Sequence, residues 1–204
     1  MLHAKTVFPE TLELLKKIMG IPELCSFNLA GGTALALQYG HRISVDLDFF
    51  GPNPIRKDGL IDLLRPLGEI KLLTQSKNIL IFMIGGVKVD FVSYSYPRIS
   101  DVVHIENVRM YGLPDIAAMK LSAIAGRGRK RDFVDLYFLL KKFTLSDLMC
   151  YYLEKFKDGS EMLIVKSLLY FEDADLDPEP KYLLPVKWEQ VKAEISTLTK
   201  EKYQ

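Results

Sequence analysis

Apolar positions follow a helical spacing at the start of the chain and through its second half, with strand-like runs between. Leu12, Leu15, Ile18 and Met19 share one helical face behind Pro9, which suits a first helical position, and Gly20 stops the run. Phe27-Asn28-Leu29-Ala30 is a short apolar stretch, predicted as a strand, that enters the pair Gly31-Gly32. Residues 34–39 are strong helix formers ending at Gly40. From Ser44 to Phe50 the pattern alternates. Val45, Leu47 and Phe49 fall on one face of a strand and Asp46 and Asp48 on the other, and Gly51-Pro52-Asn53-Pro54 ends it. Residues 58–67 return to helical spacing through Leu60, Ile61, Leu63, Leu64 and Leu67. Residues 78–84 and 87–94 are apolar runs joined by Gly85-Gly86, a strong hairpin signal. On the second run Val87, Val89 and Phe91 face one way, while Lys88, Asp90 and Val92 face the other.

From Leu113 the character is helical. Pro114 and Asp115 open a helix through Met119, Lys120 and Ile124, broken at Gly126-Arg127-Gly128. Residues 132–142 form a second, with Phe133, Leu136, Tyr137 and Leu140 on its buried face. Ser146 is expected to cap a third, and Ser160-Glu161 to begin a fourth. The acidic, proline-bearing stretch 172–180 reads as a linker. A last helix from about Pro185 carries Trp188, whose expected role is helix packing rather than base stacking. The expected architecture is α+β: a mixed-sheet core over residues 1–112, then a helical domain over 113–204.

Composition narrows the class without choosing it. A net charge of +1 gives no global sign of nucleic-acid binding, so such a role must rest on a local patch. Cys25 and Cys150 have neither metal nor disulfide spacing and read as buried, reduced thiols of a cytoplasmic protein. His3, His41 and His104 are scattered and offer no zinc site. No signal-like segment or membrane span is expected, and a monomer is expected.

Paired aspartates at a strand end are often a solvated edge that caps the next turn. Here the double glycine lies upstream with one helix between, the carboxylates sit inside an apolar strand, and Asp90 waits on a later strand. The glycines allow close backbone approach, and Thr33 is placed to cap a helix whose N–H groups face an anion. Carboxylates side by side repel unless a cation compensates them, and Mg²⁺ favours such oxygens. Three strand-borne aspartates can hold two Mg²⁺ ions about 3.5–4 Å apart, serving the attacking and leaving oxygens of phosphoryl transfer. Asp46 and Asp48 would bind metal, and Asp90 would bind metal and help deprotonate a hydroxyl.

The segments Gly31-Gly32-Thr33-Ala34-Leu35-Ala36-Leu37, Gly40-His41-Arg42 and Ser44-x-Asp46-Leu47-Asp48-Phe49-Phe50 resemble the opening motif of the AbiEii/AbiGii toxin family. Lys88-Val89-Asp90-Phe91 resembles its second motif. Lys120-Leu121-x-Ala123 and Arg131-Asp132-Phe133-x-Asp135-Leu136-Tyr137 are similar to the two later ones. The resemblance runs in order from Leu29 to Leu140 and implies a Mg²⁺-dependent nucleotidyltransferase with a DNA-polymerase-β-like core. It also implies a toxin of type IV toxin–antitoxin or abortive-infection systems, with an antitoxin that often acts indirectly. Some relatives modify the 3′ end of tRNA. Gly31, Gly32 and Thr33 would cradle the NTP phosphates, and Lys120 is either a surface lysine or a cation reaching the triphosphate. Asp132 is either a helix N-cap or, with Asp135, a group that orients Lys120 or Arg131. Arg127, Arg129, Lys130 and Arg131 form a basic cluster suited to RNA or triphosphate, or a solvated loop. Transfer to a small molecule or protein, and nucleotide binding without turnover, are the alternatives.

Overall fold

The computed structural model describes residues 1–52, 54 and 56–203. Asn53, in the turn expected after the aspartate strand, lies outside the described residues. The chain forms two compact units: Met1–Tyr96 with Asp101–Tyr111, and Pro97–Ser100 with the chain from Gly112 onward.

The first unit is built on a seven-stranded sheet. Its strands are β1 (Asn28–Leu29), β2 (Leu47–Gly51), β3 (Ile70–Gln75), β4 (Ile79–Ile84), β5 (Val87–Ser93), β6 (Val103–Ile105) and β7 (Val108–Met110). They lie in the order β3-β4-β5-β2-β1-β7-β6. The pairs β2/β5 and β1/β7 are parallel and the others antiparallel, so the sheet is mixed, as expected. Gly85 and Gly86 both take positive φ and close the β4–β5 hairpin, with Ile84 opposite Val87. Inward residues alternate along β5, and Val87, Val89 and Phe91 are buried with Leu47 and Phe49 of β2. The Phe49 and Phe91 rings stack with centroids 5.1 Å apart. Helices α1 (Pro9–Met19), α2 (Gly31–Tyr39) and α3 (Lys57–Leu64) complete this unit.

Three features depart from the sequence pattern. Helix α2 begins at Gly31 rather than Ala34, so the double glycine is its first turn. Strand β2 begins at Leu47, leaving Asp46 just before it and Val45 46% exposed rather than inward. Strands β3, β6 and β7 were not anticipated. Most of β3 is exposed and β6 and β7 are three residues each, so none of them has enough alternation to read.

The second unit is helical: α4 (Leu113–Arg127), α5 (Lys130–Leu139), α6 (Leu145–Lys155), α7 (Glu161–Leu168), α8 (Glu172–Asp175) and α9 (Trp188–Tyr203). Ile116, Leu121, Phe133, Leu136, Leu148, Ile164 and Val191 form its core. Helix α7 begins at Ser160-Glu161 as expected, with Ser160 as its cap, the hydroxyl accepting from Leu163 N–H. The cap of α6, however, is Thr144, in a reciprocal capping box with Asp147. Trp188 packs between Phe133 and Phe171 and donates to Asp175 through Nε1, the structural role expected of it. Cys25 and Cys150 are exposed, correcting the expectation of buried thiols. Among the described residues no helix is long and apolar enough to cross a membrane.

A fully buried ion pair anchors the second unit. Lys155 Nζ lies 2.7 Å from Asp115 Oδ1 and donates to the carbonyl of Pro97 at 2.8 Å. Asp115 also accepts from the backbone N–H of Ile99 and Ser100 and from the Ser100 hydroxyl. The segment Pro97–Ser100 is thereby stitched to the helices, and both oxygens of the buried carboxylate have donors.

Candidate active site

The parallel pairing of β2 with β5 sets Asp48 directly opposite Asp90. Residues facing each other across neighbouring strands stand about 5 Å apart, so two carboxylates are brought to one spot on one face. Next along that face come Phe50 opposite Val92. The Phe50 ring packs edge-on to Tyr94 at 5.0 Å and Tyr111 at 6.4 Å. These aromatics border the acidic pair, a neighbourhood the motifs alone did not disclose.

The N-terminus of α2 abuts the same spot. Ala30 N–H donates to the Asp48 carbonyl at 2.8 Å, which locks the helix entry to β2. Gly31 has φ of +67°, and a Cβ there would sit 2.6 Å from Asp48 Oδ2. Only glycine lets the helix start this close to the carboxylate. The first-turn N–H groups of a helix have no intrahelical acceptor and favour an anion. Thr33 does not cap α2; Ala30 holds that position without a side-chain bond. The Thr33 hydroxyl is buried, sharing a hydrogen bond of 2.8 Å with the Ser44 hydroxyl and donating to the carbonyl of Asp46. It thus fixes the chain just ahead of β2. His41 and Arg42 are buried in the connection, and Arg42 donates to the Ile43 carbonyl at 3.0 Å.

Asp90 carries its own counter-charge. Lys88, two residues earlier on the same face, places Nζ 2.6 and 2.7 Å from the two Asp90 oxygens. Oxygen donors on Asp46, Asp48 and Asp90 suit a hard divalent cation, and Gly31 leaves the space a side chain would fill. Among the described residues, though, no three His, Cys, Asp or Glu side chains converge as a ready-made metal cage.

The helical unit gathers the remaining motif residues together. Lys120 Nζ is 2.9 Å from Asp132 Oδ1 and 2.6 Å from Asp135 Oδ2. Arg127 forks onto Asp132 from the other side, Nε to Oδ2 at 2.9 Å and Nη2 to Oδ1 at 3.1 Å. Both aspartates are fully buried and Lys120 nearly so. Arg129, not Asp132, is the N-cap of α5, so the capping reading of Asp132 falls. Burial pushes the Asp132 carboxyl up, but attraction from Lys120 and then Arg127 outweighs it and holds the carboxyl below its usual range. Two cations and two carboxylates balance, and long side chains are immobilised as a unit.

The basic cluster resolves into pairs. Arg127 serves Asp132, Arg129 meets Asp177 at 2.7 Å, and Lys130 meets Glu179 at 3.1 Å. The Lys130 N–H also donates to Asp177. The acidic stretch 172–180, which holds α8, therefore supplies the counter-ions of Arg129 and Lys130 rather than acting as a bare linker. Arg131 is exposed on α5.

The chain matches the family model described as nucleotidyl transferase AbiEii toxin, type IV TA system, over residues 13–203. It is 37% identical over 204 residues to an uncharacterized protein, aq_aa25, of Aquifex aeolicus, covering 94% of this chain and 95% of that protein. In structure it is similar to a putative nucleotidyltransferase from H. pylori, with a TM-score of 0.59 and 23% identity over 98% of this chain and 92% of that one. JHP933 from Helicobacter pylori gives a TM-score of 0.58 and 24% identity over 98% and 89%. The antibiotic-resistance factor ANT(2'')-Ia gives 0.54 and 14% over 69% and 88%. The structural likenesses are of fold; the match across nearly the whole chain shows that this protein belongs to the AbiEii family of nucleotidyl transferase toxins of type IV toxin–antitoxin systems.

Proposed function

We propose that the protein transfers a nucleoside monophosphate from an NTP to an acceptor hydroxyl and releases pyrophosphate, with the 3′ end of tRNA the acceptor to test first. The observation that carries this reading is the Asp48–Asp90 register beside the N-terminus of α2. An anion-favouring helix start and a carboxylate pair at one spot match phosphate binding and hydroxyl activation. Gly31 and Gly32 would receive phosphate oxygens on their N–H groups, with Thr33 holding the loop that presents Asp46. Asp46, Asp48 and Asp90 would hold two Mg²⁺ ions, which supply charge neutralisation and polarise the phosphoryl oxygens when bound.

In the chemical step the acceptor oxygen bonds to the α-phosphorus as the bond to the pyrophosphate oxygen breaks, and the hydroxyl proton passes to Asp90. Lys120 would neutralise phosphate charge, held in place by Asp132 and Asp135, while Arg131 would meet substrate. Residues 1–112 would carry catalysis and 113–204 substrate support. The setting proposed is the cytoplasm, the protein acting as a monomer and answered by a cognate antitoxin that acts indirectly. One observation favours a second acceptor class: Asp132, Asp177 and Glu179 already engage Arg127, Arg129 and Lys130, leaving less cationic surface for RNA. A small-molecule hydroxyl fits that balance.

The test is incubation with Mg²⁺, each labelled NTP and total bacterial tRNA, beside Asp48→Ala protein. Label on tRNA with native protein alone is the expected result. Pyrophosphate release from a cell extract without labelled RNA would favour the small-molecule acceptor. Equal labelling by Asp48→Ala protein would refute the site.

A further inference from the structure

Lys88 Nζ lies 2.6 and 2.7 Å from the two oxygens of Asp90, so a carboxylate suited to a metal ion already holds a cation. We propose that Lys88 is an exchangeable counter-ion: a divalent cation reaches Asp90 by displacing the Lys88 ammonium, and Lys88 thereby sets how tightly the free protein holds metal. The inference rests on the reading of Asp46, Asp48 and Asp90 as metal ligands and adds one residue to that site.

The strand geometry makes the ammonium the part that moves. Asp90 sits in the middle of β5, paired with Ile81 of β4 on one side and with Asp48 of β2 on the other. A backbone held between two neighbouring strands keeps the carboxylate in place. Lys88 reaches it along the same face from two residues away, on a flexible four-carbon stem. The lysine side chain is 35% exposed, so the ammonium can swing into water. Lys120 against Asp132 and Asp135, and Lys155 against Asp115, are instead buried at both ends, where parting would strand a charge away from water.

The register gives a lysine its use at this position. Asp48 faces Asp90, and like charges directly opposite on neighbouring strands repel. Without metal, Lys88 removes part of that repulsion. With metal bound the ion does so, and an ammonium beside it becomes a like charge. The two cations therefore exclude each other from Asp90. A bare ion must offset this with carboxylates alone, whereas an ion arriving with a triphosphate also brings phosphate oxygens as ligands. Lys88 thus ties occupancy at Asp90 to the arrival of nucleotide.

The experiment measures Mn²⁺ binding by electron paramagnetic resonance, without nucleotide, to native, Lys88→Met, Lys88→Arg and Asp48→Ala protein. Lys88→Met protein is expected to bind about tenfold more tightly than native, and Lys88→Arg, which keeps the charge, to stay within about threefold. In an Asp90→Asn background the gain from Lys88→Met should shrink to about threefold or less. Thermal unfolding is the second readout: in EDTA Lys88→Met protein should melt below native, and Mn²⁺ should raise its Tm by more. Mn²⁺ binding that is lost in Asp48→Ala protein but equal in native and Lys88→Met protein would overturn the exchange and leave the metal reading standing. A gain undiminished by Asp90→Asn would overturn it too, because Lys88 would then act through its general field. Absence of Mn²⁺ binding to native and Lys88→Met protein alike would overturn both the exchange and the metal reading.

Discussion

Gly31→Ala isolates the contact on which the candidate active site turns. Gly31 has φ of +67°, where an L-residue costs about 1–2 kcal/mol. The new Cβ would lie 2.6 Å from Asp48 Oδ2, and ordinary contact begins near 3.4 Å, so the carboxylate must retreat by about 0.8 Å. Backbone cannot yield, because Ala30 N–H is bonded to the Asp48 carbonyl. The side chain yields instead, so the larger effect falls on chemistry. A misplacement of about 1 Å at a reacting group costs on the order of 100-fold in rate. Pyrophosphate release should fall by about that factor, while the urea midpoint drops by roughly 0.5–1 M, given a slope of about 2 kcal/mol/M. Gly59→Ala is the control: its Cβ would meet nothing within 4 Å, and it lies within α3, so stability should rise by about 0.5–1 kcal/mol with turnover unchanged. Gly31→Ala protein with native turnover and midpoint would refute the reasoning.

Lys155→Met strands the buried Asp115 carboxylate and should cost about 3–5 kcal/mol in urea unfolding. A double-mutant cycle with Asp115→Asn should then show the two losses to be strongly non-additive. The Asp132 carboxyl titrates below its ordinary value in the folded state. Its stabilising contribution is therefore complete above the unfolded value and lost as pH falls through the folded one. Native protein should accordingly lose stability more steeply than Asp132→Asn protein below about pH 5; parallel acid limbs in urea titrations would contradict the Lys120–Asp132–Arg127 assignment. Thr144→Ala removes the capping box of α6 and should cost about 1 kcal/mol, and Ser146→Ala less than about 0.5, measured by thermal unfolding.

Local chemistry was legible wherever one segment contains the whole signal. Pro9 and Gly20 bound α1, Gly85-Gly86 close the hairpin, Ser160 begins α7 as its cap, and alternation marked Asp48 and Asp90 as acidic strand positions from the chain alone. The ordered motifs likewise carried the family, since each is a short run of adjacent residues. What stayed hidden depends on partners distant in sequence. The start of α2 at Gly31 is set by the hydrogen bond from Ala30 to Asp48, and the sense in which β2 and β5 pair decides that Asp48 faces Asp90. Periodicity states which face a residue takes but not which strand lies beside it.

The same holds for charge. Lys88 on Asp90 sits within a single motif, but Lys155 on Asp115, Arg129 on Asp177 and Lys120 between Asp132 and Asp135 are joined by folding. In sequence, Arg127 to Arg131 looks like a basic patch, and 172–180 looks like an acidic linker. Tertiary structure makes Asp177 and Glu179 the counter-ions of Arg129 and Lys130, because a buried charge such as Lys130 must find an opposite one and only the fold determines which is within reach. The sequence by itself determined most of the helices, the hairpin, the acidic residues and the family. Only tertiary structure decided strand order, the facing carboxylates and the pairing of charges, since these rest on distances that no local pattern encodes.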